Sequence, residues 1–135
     1  MAELPVASVL VRTWFGDDSA WESLVHEVET PSDEGFQASV AVVNNPAFAG
    51  LSAEALTAKQ TTGAIVSFLA DETTLTNAGH PILAVWVLPR RGDDHQPFRV
   101  VSAELWSVEN NINLGNMDWE DFTRSLSGDG VFRGF

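Results

Sequence analysis

The sequence contains no cysteine. That absence removes disulfides, thiolate metal sites and a cysteine nucleophile together, and it fits a reducing compartment. Basic residues are scarce as well. Seven Lys and Arg stand against 19 Asp and Glu, for a formal net charge of −12, and Lys59 is the only lysine. Nucleic acid is bound by neutralising phosphates with Lys and Arg clusters, so this chain is expected to be repelled by it, and by anionic membrane surfaces for the same reason. A basic protein partner or a cationic ligand is favoured instead. An acidic mimic of nucleic acid fits less well, because the charges are scattered rather than gathered in a long stripe. No stretch approaches the ~20 consecutive apolar residues of a membrane span. The first charge is Glu3, where a secretory signal would open with a basic region, so the expected location is cytoplasmic. There is no G-x-S-x-G elbow, no H-E-x-x-H pair, no P-loop and no Gly-rich turn after the first strand. The run GDGVFRG at 128–134 echoes a nucleotide-binding loop, but no helix follows it, and it reads as a turn and a closing apolar segment.

What is present is material for a core. A chain of 135 residues, 44% hydrophobic with five Trp and eight Phe, is expected to form one domain over residues 1–135. The near-continuous apolar run at 6–15 reads as a strand buried on both faces, those at 36–45, 64–70 and 82–88 as further strands, and 98–101 as a fifth strand returning from the polar turn at 89–97. Trp21, Leu24, Val25 and Val28 recur with helical spacing after Asp17, Asp18 and Ser19, where Ser19 with Glu22 fits a capping box. Ser52, Ser102 and Asp118 are caps for further helices, and one helical turn can start at Asp71. The order β-α-β-α-β-β-β-α-α gives an α/β domain: roughly five strands, mostly parallel, with an antiparallel edge hairpin and helices packed on the sheet. The connection at 71–80 is short for a parallel crossover, so strands 3 and 4 are either parallel or a hairpin.

In parallel α/β sheets, ligands bind at the carboxyl ends of the strands. That rule selects Trp14, Asp17 and Asp18 after strand 1, Asn44 and Asn45 after strand 2, and Asp71 after strand 3 as ligand-binding candidates. Three carboxylates at one mouth resemble the acidic pocket of receiver domains. Such domains need a Lys after strand 5 and a Ser or Thr after strand 4, whereas Lys59 precedes strand 3 and strand 4 ends Val87-Leu88-Pro89. The same carboxylates offer oxygen ligands to a divalent cation, but capping of the following helices accounts for Asp17 and Asp18 without one. No cofactor and no metal is expected. His80 is a candidate general base toward Asp71 or Glu72, though only a hairpin of strands 3 and 4 brings it near Asp71. His26 and His95 read as solvent-facing. Arg90, Arg91 and Arg99 form the only basic cluster, diluted by Asp93 and Asp94, and its Arg91-Gly92-Asp93 triplet is too short to carry meaning.

Asn110, Asn111, Asn113 and Asn116 crowd the segment between Trp106 and Trp119. An amide both donates and accepts, so they are either a ligand-facing cluster or punctuation between helices. Asn is a poor helix former and a good cap, and the segment is read as punctuation, with Asn110 and Asn111 ending a helix and Asn113 in a short extended piece.

The segments VRTWFGDDSAW (11–21), WSVENN (106–111), NMDWEDF (116–122) and DGVFRGF (129–135) resemble a family of small, mostly actinobacterial proteins catalogued as a domain of unknown function. The likeness runs from about Val9 to Phe135, and DGVFRGF is its most specific part. Members commonly carry an acidic residue where this chain has Trp14. The resemblance implies a bacterial, cytoplasmic, single-domain protein and brings no catalytic residue. Two functions remain in competition. One is a small acidic binding module for a protein partner or small ligand. The other is a cofactor-independent lyase, isomerase or cyclase using Asp17, Asp18 and Asp71 as acid and base, with Trp14 shaping the pocket.

Overall fold

The computed structural model describes residues 3–60, 64–88 and 95–135. Strands β1 (Val9–Arg12), β2 (Ala41–Val43), β3 (Val66–Ala70), β4 (Pro81–Trp86), β5 (Phe98–Val101) and β6 (Val131–Phe132) form one sheet in the order β2-β1-β3-β4-β5-β6. Helices α1 (Asp18–Glu29), α2 (Ala53–Lys59), α3 (Glu72–Thr76), α4 (Leu105–Asn113) and α5 (Trp119–Thr123) connect them, with 3₁₀ turns at Pro46–Phe48 and Ser102–Glu104. The α/β class with a mostly parallel sheet is the one the sequence predicts. Only β4 runs against the rest: β1 pairs parallel with β2 and β3, β5 pairs parallel with β6, and β4 pairs antiparallel with both neighbours.

Side chains alternate across the sheet, so the central strands β1, β3 and β4 feed two cores. Leu10, Val66, Phe68, Ile82, Ala84, Phe98 and Val100 face α1, α4 and α5, where Trp21, Leu24, Leu105, Val108, Trp119 and Phe122 meet them. Val9, Val11, Leu69, Val85 and Val87 face the opposite way, toward Phe48 and Leu56. Burial on both faces explains why β1, β3 and β4 carry continuous apolar runs rather than alternating ones.

One open alternative is settled and three sequence expectations change. Strands 3 and 4 are a hairpin, because residues 71–80 are too few to cross the sheet; α3 uses five of them, and Gly79 (φ 80°) and His80 (φ 47°) turn the chain into β4. The sheet has six strands rather than five: Val131–Phe132 pairs beyond β5, so the hairpin is interior and β6 is the edge. Helix α1 is capped by Asp17, whose carboxylate accepts from Ala20 N at 3.0 Å, and Ser19 lies inside its first turn. Ser102 caps no helix; its hydroxyl donates to Gly79 O at 3.3 Å, and α4 begins at Leu105. The turn at 89–94, with Arg90, Arg91, Asp93 and Asp94, lies outside the described residues. Among the described residues no helix is long and apolar enough to cross a membrane.

Candidate functional site

Because β1, β2 and β3 are parallel, all six sequence candidates lie along one edge of the sheet, the one formed by the carboxyl ends of these strands. Most of their polar groups are engaged in holding that edge together. Asp17 caps α1, and Asn45 caps the 3₁₀ turn by accepting from Ala47 N at 3.0 Å. Asp18 pairs with Arg12 Nη2 at 2.8 Å while its own side chain stays 85% exposed. Asn44 is exposed. Trp14 is half-buried and its indole lies over Gly16, where a Cβ would sit 2.2 Å from the ring; only glycine fits beneath it. Among the described residues no three His, Asp or Glu side chains converge as a metal site.

Asp71 is the most constrained of the six. It caps α3, accepting from Thr74 N and Thr74 Oγ1 at 3.0 Å each, and takes a two-pronged ion pair from Arg99 at 3.0 and 2.8 Å. Burial alone would raise its pKa, but the hydrogen bonds and charge of Arg99 together with Thr74 outweigh it, and the carboxyl is held below its ordinary value of 3.8. A lowered folded-state pKa stabilises the fold above the unfolded value, and that contribution is lost as pH falls through the folded one. Asp71→Asn is therefore expected to cost about 1–2 kcal/mol at neutral pH. Urea unfolding followed from about pH 7 to pH 3 should show a shallower acid decline in the variant than in the parent, because the variant no longer has this proton to take up.

The hairpin brings His80 to the same edge, yet its ring serves other partners. Nδ1 lies 3.1 Å from Thr74 O and Nε2 lies 3.4 Å from Glu27 Oε2, so His80 ties α3 to α1 while Asp71 faces Arg99. Arg12 escapes a sequence reading because it closes an apolar strand. It is 2% exposed, donates to Trp14 O at 2.9 Å, and lies over the rings of Phe15 and Trp21 at 4.5 and 5.7 Å.

The asparagines are at the other end of the sheet. Asn110 and Asn111 lie within α4, and Asn113 is its last residue rather than part of an extended piece. Asn113 uses its whole amide. Oδ1 accepts from Ile65 N and Val66 N at 3.0 and 3.3 Å, while Nδ2 donates to Ser8 Oγ at 2.8 Å and to Glu109 Oε2 at 2.9 Å. Glu109, 6% exposed, also accepts from Ser39 N and from Asn110 Nδ2. Asn110 in turn donates to Gln37 O at 3.2 Å. The cluster is more than helix punctuation. Asn113 and the buried Glu109 form a latch joining α4 to β1, β3 and the approach to β2, at the side of an open pocket they line with Ser8 and Ser39.

A concave site with free apolar walls lies elsewhere, between the end of α1 and the start of α4. It is a groove of about 270 Å³ lined by Val28, Phe36, Ala38, Leu105 and Trp106, with His26, Glu27 and Ser102 among its polar groups. Phe36 stacks on Trp106 with centroids 4.8 Å apart and remains 48% exposed. Glu104 directly precedes the lining residue Leu105; burial first, and the nearby Glu34 second, raise its carboxyl above the ordinary value. Nothing local in the sequence couples Phe36 to Trp106, which are 70 positions apart. The hint was Phe36 opening a strand directly after a turn rich in acids.

No curated protein shows significant similarity to this chain. A family model described as a domain of unknown function, DUF6924, matches residues 7–135. That span takes in the whole sheet, the latch and the groove, and the chain belongs to the DUF6924 family.

Proposed function

We propose that the protein is a small cytoplasmic acidic binding module whose ligand site is the groove between α1 and α4. The observation that carries this reading is the groove itself, where a stacked and half-exposed Phe36 on Trp106 shares the lining with Glu27, and where Glu104, close enough to Glu34 to feel its charge, directly precedes the lining residue Leu105. An aromatic wall beside carboxylates suits a partner with an apolar body and a positive charge, either a small cation or a basic side chain of another protein. The net charge of −12 draws such a partner in and repels anions. The cytoplasmic location rests on the cysteine-free, acidic composition.

The competing acid–base reading needs a carboxylate kept protonated against an apolar wall. Asp71 is held in the opposite direction by Arg99, and Asp17 and Asp18 are exposed caps or ion-pair partners. Support for catalysis at that edge is therefore weak.

Phenethylamine and its neutral counterpart, phenethyl alcohol, test the groove. Titration of the amine, followed by NMR at the Trp106 indole, is expected to give a saturable shift that weakens as salt rises, with the alcohol binding at least about tenfold less tightly. Trp106→Ala should weaken the amine by a similar factor, since it removes the aromatic wall. Equal binding of amine and alcohol, indifferent to salt, would remove the electrostatic part of the proposal; no shift at Trp106 with either would remove the groove.

A further inference from the structure

The two edges of the sheet are finished differently. Edge β6 is two residues long and flanked by Asp129 and Arg133, which pair at 2.7 and 2.9 Å across its end. A short strand with charged flanks is how natural sheets discourage further strand pairing. Edge β2, three residues long, has no charged flank. Residues 36–40, which lead into it, belong to no helix or strand, and residues 35–53 contain no charged side chain at all, in a chain with 26 Asp, Glu, Lys and Arg (19 plus 7). No proline interrupts residues 36–43.

The register with β1 fixes which backbone groups are open. Ala41 N donates to Ser8 O at 2.9 Å, and the pairing of Val9 with Ala41 and of Val11 with Val43 turns the N–H and C=O of Ala41 and Val43 toward β1. Those of Val40 and Val42 therefore point away from the sheet, and among the described residues they take no hydrogen bond. Beside them runs a groove of about 390 Å³ between the end of α1 and residues 37–40, lined by Val28, Glu29, Ala38 and Val40. It leaves room for the side chains of an added strand.

We propose that the β2 edge pairs antiparallel with the β2 edge of a second copy of this chain, joining two six-stranded sheets into one. Charge selects the occupant. A basic partner would find no carboxylate along residues 35–53 and a single one, Glu29, in the groove beside them, and two copies at −12 each repel one another over most of their surfaces. The uncharged run is where two copies approach without that opposition, and interface centres are depleted in charge in the same way. Two-fold pairing of identical strands closes the assembly and covers both open edges at once.

The test is light scattering on the full chain between about 1 and 100 μM, with amide exchange measured at both ends of that range; a micromolar dimer is populated at the upper end. The mass is expected to rise toward twice 14.6 kDa with concentration, and more readily at high salt, where the mutual repulsion is screened. Over the same range the amides of Val40 and Val42 should gain protection while those of β1 stay unchanged. Val42→Pro removes one outward donor and no bond to β1, so it should restore the 14.6 kDa species. Gln37→Lys, a charge placed on the exposed approach to β2, serves the same end should the proline disturb folding. A mass of 14.6 kDa throughout, or a dimer in which the Val40 and Val42 amides exchange as fast as in the dilute chain, would overturn the proposal.

Discussion

Asn113→Ala is expected to lower the unfolding free energy by about 2–4 kcal/mol, well beyond what an ordinary helix-terminal substitution costs. The reason lies in what the amide leaves behind. Ile65 N and Val66 N lose their acceptor, Ser8 Oγ loses a donor, and the buried Glu109 carboxylate loses one of the hydrogen bonds that make its burial tolerable. An unsatisfied buried group costs its full desolvation, and a charged one costs more. Urea denaturation with the parent and Asn116→Ala, an exposed neighbour in the same run of amides, isolates the effect: the control should lie within about 0.5 kcal/mol of the parent. Asn113→Asp should be at least as damaging, since it sets a second carboxylate against Glu109 and removes the donor. If Asn113→Ala unfolds at the parent's midpoint, the latch carries no stability and the Asn cluster reverts to helix and turn punctuation.

That result would also mark where the sequence could be read and where it could not. The apolar runs, the order of elements and the caps at Asp17, Ser52 and Asp71 are local features, visible within a few residues of themselves, and they give the α/β class directly. The hairpin of β3 and β4 was legible as one of two alternatives, because its connection is short. The role of Asn113 was not, because its partners Ser8 and Val66 lie 105 and 47 positions away. A helix-poor residue near a helix end has a sufficient local explanation, and that explanation conceals the distant one. The same holds for Phe36 and Trp106. Each reads as an ordinary strand or helix residue until the fold stacks them.

The strand-end rule selected residues that share one end of the sheet. It gathered Trp14, Asp17, Asp18, Asn44, Asn45 and Asp71 on one edge, which the parallel arrangement of β1, β2 and β3 produces. It did not anticipate that Arg12 and Arg99 would arrive at the same edge from β1 and β5 and pair with two of the carboxylates. In a chain this short of cations, two of the seven Lys and Arg are used to neutralise that edge. The α1–α4 groove has Glu27 in its lining and, among the described residues, no Arg or Lys, and that difference favours the groove over the strand ends as the place where a cation is recognised.

Phe132→Ala is expected to cost about 3–5 kcal/mol, the range for emptying a large buried aromatic position. Phe132 is the inner residue of a two-residue strand and is fully buried. Its ring meets Phe122 at 5.1 Å and Phe135 at 4.9 Å, and Phe122 continues the contact to Phe98 at 6.1 Å. A strand of two residues makes too few backbone hydrogen bonds to hold itself, so the side chain must hold the strand. Its brevity is also why the sequence presents it as a closing apolar segment rather than a strand: no alternation can be read in two residues. Phe135→Ala offers the comparison, because that ring is 72% exposed and should cost no more than about 1 kcal/mol. Amide exchange separates a local from a global loss. If Phe132 anchors β6, the Phe132→Ala variant should lose protection first at β5 and β6, where Arg99 pairs with Val131 and Val100 with Phe132, while β1 and β3 keep the protection of the global fold. Uniform loss across the sheet would instead make the C-terminal strand part of the single cooperative core, and an unchanged midpoint would mean that β6 is held by something other than this ring.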